Sequence, residues 1–111
     1  MEIDFKTHKL EKTFVTAGKL GRLYGKRMEK IISSRLAILS VAYDLSEVPP
    51  HPPVRRHQLT GTRREQFAVD LVHPYRLIFE ANHDPVPRKE DGGINLKQVI
   101  RIRILEVVDY H

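Results

Sequence analysis

His57 sits within "VRRHQLTGTRRE", a run carrying four arginines before its first acid, and the sequence finishes on Asp109, Tyr110 and His111. These residue types can do phosphodiester chemistry. Cleaving RNA without a metal needs a base to take the proton of a ribose 2′-hydroxyl and an acid to protonate the leaving 5′-oxygen. It also needs cations to stabilise the charged phosphorane between them. Histidine suits both proton roles because its unperturbed pKa is about 6.5. Arginine suits the phosphate because it presents a planar fork of donors. The chain offers His57 and His111 for protons and Arg56, Arg63 and Arg76 for charge. Tyr110 can hydrogen-bond a phosphate or stack on a base. The carboxylate that follows His111 would favour its protonated, donor form.

The plainer interpretation of the same residues is structural. His57 shares strand parity with Leu59, so in an unbent strand it would border the core as a satisfied histidine. Asp109 and Tyr110 would then cap a sheet, and Arg63 and Arg64 would be loop charges. Other chemistries find less support. Six histidines occur, at 8, 51, 57, 73, 83 and 111, and none forms an HxH or HExxH ligand pair. Cysteine is absent, which removes thiol nucleophiles and cysteine-ligated zinc. The Gly92-Gly93 pair lacks phosphate-loop spacing, and no serine sits in a nucleophile elbow. The expectation is a site with no metal and no cofactor.

The elements that must position these residues change character midway. "EIDF" alternates as a short strand. Leu10, Phe14 and Ala17 follow at helical spacing, Gly18 and Gly21 interrupt, and a longer helix is expected from about Gly25 to Leu45. Its stripe of Met28, Ile32, Leu36, Leu39 and Tyr43 forms one buried face, with Arg27, Lys30, Ser34 and Arg35 mostly away from it. "VPPHPP" ends the helix. Beyond residue 54 the period becomes two: Phe67, Val69 and Leu71 share a face, as do Tyr75, Leu77 and Phe79. A long polar loop leads to a last strand from about Val99 to Tyr110, with Ile100, Ile102 and Ile104 on one side. The expected fold class is α+β: two N-terminal helices packed on one face of a mostly antiparallel β-sheet.

At 111 residues, with 41% hydrophobic and 30% charged side chains, a single soluble domain over 1–111 is expected. No apolar run reaches membrane-spanning length and the start lacks a secretory pattern, so a cytoplasmic protein without a membrane partner is expected. The net charge is +5, and residues 1–35 carry nine basic and four acidic residues, which accounts for the whole surplus. Such a surface attracts phosphate-rich partners.

The order "RHQLTGTRREQFAVDLVHPYRLIFE", then a hairpin loop, then a strand ending "VDYH", resembles the HigB-type toxins of the RelE/ParE superfamily. The shared pattern is a His followed by Leu-x-Gly-x-Arg, an aromatic strand opener, an Arg before an apolar strand, and a closing Asp-Tyr-His. It covers residues 55–111. The resemblance implies a RelE/ParE-like fold and a type II toxin that cuts mRNA in the A site of the 30S ribosomal subunit. It also implies metal-free catalysis by His57, Asp109, Tyr110 and His111, with Arg56, Arg63 and Arg76 binding RNA. A helix-turn-helix antitoxin is the implied partner. The chain is longer than compact members in "SEVPPHPPV" and "NHDPVPRKEDGGIN", which bears on strict ribosome dependence. Two other functions fit the same fold: ParE-like inhibition of DNA gyrase, and non-catalytic binding of nucleic acid or protein.

Overall fold

The computed structural model describes residues 1–109. Its elements run β1 (Glu2–Phe5), α1 (His8–Val15), α2 (Lys19–Tyr24), α3 (Lys26–Val41), β2 (His57–Gln58), β3 (Gln66–Asp70), β4 (Tyr75–Ala81) and β5 (Arg101–Asp109). The five strands form one open sheet in the order β1-β5-β4-β3-β2. Only β1 and β5 pair in parallel; the other neighbours are antiparallel. The fold class is α+β, with three helices where two were expected.

Glycine accounts for the extra helix. Gly18 (φ 77) and Gly25 (φ 89) adopt left-handed backbone at either end of α2, conformations that side-chain residues resist. Gly21 lies inside α2, and its N–H donates to the Glu29 carboxylate at 3.0 Å. The long helix also stops earlier than expected, because Ala42 turns to extended backbone. Tyr43 therefore leaves the helical stripe and is 74% exposed, while Leu45 is fully buried in a following 3-10 turn. Arg35, expected on the polar side of α3, is buried instead.

The core lies between the helices and one face of the sheet. Met28, Ile32 and Leu39 of α3 pack with Phe67, Val69, Leu77, Phe79, Ile102 and Ile104. The Phe67 and Phe79 rings stack at 5.9 Å, and α1 joins through Phe14, whose ring lies 5.2 Å from that of Phe5. Burying each such side chain is worth about 1.5–3 kcal/mol, so this face fixes which way every strand presents its residues. Ile100 departs from the expected core stripe: it precedes β5 and is 41% exposed.

β5 carries a further irregularity. Ile78 of β4 faces Glu106, but its neighbour Phe79 faces Ile104, so Leu105 is an extra residue in β5. This bulge reverses the alternation of the strand. Val107 opposes Leu77 and Asp109 opposes Tyr75 on the helix side, while Glu106 and Val108 lie on the other side with Ile78 and Arg76.

Candidate functional site

The sheet face away from the helices carries the candidate site. His57 opposes Ala68, Ala68 opposes Ile78, and Ile78 opposes Glu106, so these four residues form one row across β2, β3, β4 and β5. In the next row Asp70 opposes Arg76, which opposes Val108. A cleft of about 270 Å³ opens here, lined by His57, Gln58, Leu59, Thr60, Arg63 and Arg76.

His57 is held by one ring nitrogen and not the other. Its Nδ1 lies 2.8 Å from the Arg55 carbonyl oxygen. A carbonyl can only accept, so Nδ1 donates and the neutral ring keeps a bare lone pair on Nε2. Among the described residues Nε2 is buried and has no hydrogen-bond partner. Such an atom costs about 1–3 kcal/mol. The ring is therefore not the fully satisfied core histidine that its strand parity permits.

Arg55 sets that hydrogen bond. It adopts φ 47, a left-handed backbone that is unfavourable for a residue with a side chain. Two contacts stabilise the conformation. Its N–H donates to the His51 carbonyl at 2.8 Å, and its guanidinium grips Asp70 with Nε–Oδ2 at 2.7 Å and Nη2–Oδ1 at 3.0 Å. The bond to Asp70 raises the Arg55 pKa above its already high value. Asp70 also lies 3.8 Å from Nε of Arg76. Its own backbone is pinned from both sides: its N–H donates to Val54 at 2.9 Å, and its carbonyl accepts from Nε of Arg35 at 2.7 Å. Arg35 reaches Pro53 as well, at 3.3 Å. Burial lowers the Arg35 pKa while the charge of Asp70 opposes that shift.

Arg63 reaches across the sheet. Its Nη1 donates to Gln66 of β3 at 2.9 Å and its Nη2 to Glu106 of β5 at 3.2 Å, so the guanidinium lies over β4. Arg63 and Arg76 thus line the cleft with His57, and each has a carboxylate beside it. Arg56 does not line it: Nε donates to the Val48 carbonyl at 2.9 Å, and burial lowers its pKa. Asp109 falls on the helix side of β5, opposite Tyr75 and away from the face of His57, which is the consequence of the bulge. Tyr110 and His111, the other two expected catalytic residues, lie outside the described residues.

A larger cavity of about 510 Å³ opens at the β1–α1 junction, lined by Asp4, Phe5, Lys6, Thr7, His8, Glu11 and Arg103. Its two carboxylates oppose an anionic ligand, and Arg103 is engaged by Glu80 at 2.9 Å and Asn82 at 2.6 Å. Among the described residues no three histidines or acids gather to hold a metal. No helix there is long and apolar enough to cross a membrane.

Sequence reasoning missed Asp70 and Glu106. Glu106 carried a signal: in "IRILEVVD" it sits at the parity of Ile102 and Ile104, and a carboxylate at a core position points to a bulge. Asp70 was visible only through pairing, since it and Arg76 flank the tight connection between β3 and β4. No protein-family model matches the chain, and neither does any curated protein.

Proposed function

We propose that this protein is the toxin of a type II toxin–antitoxin pair and acts as a ribosome-dependent mRNA endonuclease in the cytoplasm. The supporting observation is His57 itself: a buried Nε2 with no partner among the described residues, its tautomer set by Arg55, in a cleft lined by Arg63 and Arg76. A bare imidazole nitrogen is what a ribose 2′-hydroxyl needs as proton acceptor. The two guanidiniums supply the charge that a phosphorane demands. His57 is the proposed base, which leaves the acid to His111; the resemblance implies His57, Asp109, Tyr110 and His111 as a set without saying which histidine is which, and Asp109 lies on the sheet face away from His57. Because Nε2 has no solvent exposure, RNA must shift the cleft wall to reach it. Messenger RNA in the A site of the 30S subunit and a helix-turn-helix antitoxin are the partners this function needs.

Primer extension on a defined mRNA, with and without ribosomes, and analysis of the 3′ ends of the fragments test it. The expected result is cuts that require ribosomes and leave 2′,3′-cyclic phosphate ends, the product of attack by the 2′-hydroxyl. Absence of cuts with folded protein favours a non-catalytic binding module or a gyrase inhibitor. One observation weighs against catalysis: both cleft arginines already have carboxylate neighbours, Glu106 and Asp70.

A further inference from the structure

Asp70 lines no part of the His57 cleft, yet three arginines converge on it. Its carboxylate accepts both contacts of Arg55 and lies 3.8 Å from Arg76, and its carbonyl accepts from Arg35. Arg55 is the residue whose left-handed backbone turns its carbonyl toward His57 Nδ1. Arg76 is shared by the His57 cleft and by a smaller neighbouring cavity of about 60 Å³ that Arg55 and Asp70 line. One carboxylate is therefore linked both to the histidine and to an arginine of the cleft.

We infer that Asp70 is the positioning residue of this site: it locks the tautomer of His57 through Arg55 and aims Arg76 at the phosphate. The inference rests on the proposed nuclease function for its catalytic consequence, and on geometry alone for its structural part. Arg55 in left-handed backbone is held there by a bidentate ion pair, an arrangement stronger and more directional than a single contact. Without it, Arg55 relaxes toward ordinary backbone, its carbonyl swings away, and the proton is free to sit on either ring nitrogen. Arg76 loses the contact with Asp70 at the same time, and orientation of a catalytic group is worth large factors in rate. Removal of a negative charge beside the cleft does not weaken the attraction of RNA. Rate and affinity thus part company. Arg35 donates to the carbonyl of Asp70, so Asp70→Asn keeps that hydrogen bond while removing the nearby negative charge.

The test compares wild type, Asp70→Asn and Arg55→Met. Imidazole ¹⁵N shifts report the protonated nitrogen of His57. Single-turnover cleavage with ribosomes and binding of a 2′-deoxy RNA, which lacks the attacking hydroxyl, report function. The inference expects wild type to show a single Nδ1–H tautomer and both variants a mixture. Asp70→Asn should slow cleavage on the order of ten- to a hundredfold with 2′-deoxy RNA affinity unchanged or tighter. In an Arg76→Ala background, Asp70→Asn should slow cleavage less than it does alone, because part of its effect runs through Arg76. Two findings would overturn the inference: an unchanged His57 tautomer in a folded Asp70→Asn or Arg55→Met protein, or equal loss of rate and affinity. Should Asp70→Asn not fold, Arg55→Met carries the tautomer test, since it leaves Asp70 and Arg76 in place. Should wild type cleave no RNA, the nuclease function falls, while the imidazole spectrum still decides whether Asp70 positions His57.

Discussion

At the scale of single residues, the cleft is built from side chains whose charges are already partly answered. Arg63 is 35% exposed and divides its donors between Gln66 and Glu106. On the proposed function, an RNA phosphate must compete with Glu106 for that guanidinium. Substituting Glu106→Gln removes the competitor while keeping the shape, and should add one phosphate contact. The expected outcome is tighter binding of single-stranded RNA at low salt, with the slope of log affinity against log salt steeper by about 0.7. Filter binding across a salt series measures it, and an unchanged slope would show that Arg63 does not meet the phosphate. Arg56 differs from its cleft counterparts because it is partly buried against the Val48 carbonyl, where a phosphate would have to displace a protein acceptor.

At the scale of elements, one inserted residue decides what the last strand presents. Leu105 reverses the parity of β5, sending Val107 to Leu77 and Glu106 to the face of Arg63. Deleting Leu105 would remove the bulge and leave the flanking pairs in place, Ile104 with Phe79, Glu106 with Ile78 and Val107 with Leu77. No carboxylate is buried and no core side chain turns out, so the deletion should cost no more than about 1–2 kcal/mol, read from urea denaturation. A loss of about 3 kcal/mol or more would contradict the bulge, since in a regular strand the deletion would turn every following residue to the other face. This is also where sequence and structure part most clearly. Period-two runs located β3 and β4 and their core residues, because Phe67, Val69, Leu77 and Phe79 alternate without interruption. The α3 stripe was legible in Met28, Ile32 and Leu39 for the same reason. Leu105 was not, since an extra residue leaves each local pattern intact and changes only the relation between its two halves. Arg35 was hidden in another way: a buried arginine looks like a surface one until the carbonyls it serves, those of Asp70 and Pro53, are brought to it by tertiary folding. Of the candidate site, the sequence marked His57, Arg63 and Arg76 by type, and pairing alone revealed the carboxylates that hold the two arginines.

The loop between β4 and β5 makes its own prediction. Arg88 forms an ion pair with Glu65, which places this loop beside the segment carrying Arg63 and Arg64. The hydrogen bond from Arg88 holds the Glu65 carboxyl below the usual carboxylate range. A depressed acid gives stability that is fully present above the ordinary carboxylate range and lost as pH falls through the lowered value. Both side chains are well exposed, so the effect is local and small. In a carboxyl NMR titration, Arg88→Ala should return Glu65 to the ordinary range. A titration identical to wild type would mean that the loop is not docked there.

At the scale of the whole molecule, the surplus charge and the proposed site lie on opposite sides of the sheet. The surplus of basic residues lies in residues 1–35, which form β1 and the helices, while the cleft opens on the other face. A net positive protein meets RNA faster, and more so at low salt, but this field does not choose which face reacts. Selection falls to the cleft, where Asp70, Arg55 and Arg35 link β3, the Pro53–Arg55 segment and α3 into one support behind His57. On the proposed function, loss of His57 should slow cleavage with little loss of fold, since among the described residues its ring gives up only the hydrogen bond from Nδ1 to the Arg55 carbonyl. The most direct measurement is single-turnover cleavage of a defined mRNA on ribosomes by wild type and His57→Ala, with thermal denaturation and ribosome binding recorded on the same preparations. The expected result is cleavage slowed by a factor on the order of 10² or more, with melting temperature and ribosome binding retained. Cleavage at the wild-type rate by a folded His57→Ala protein would contradict the central claim that this histidine is the proton acceptor.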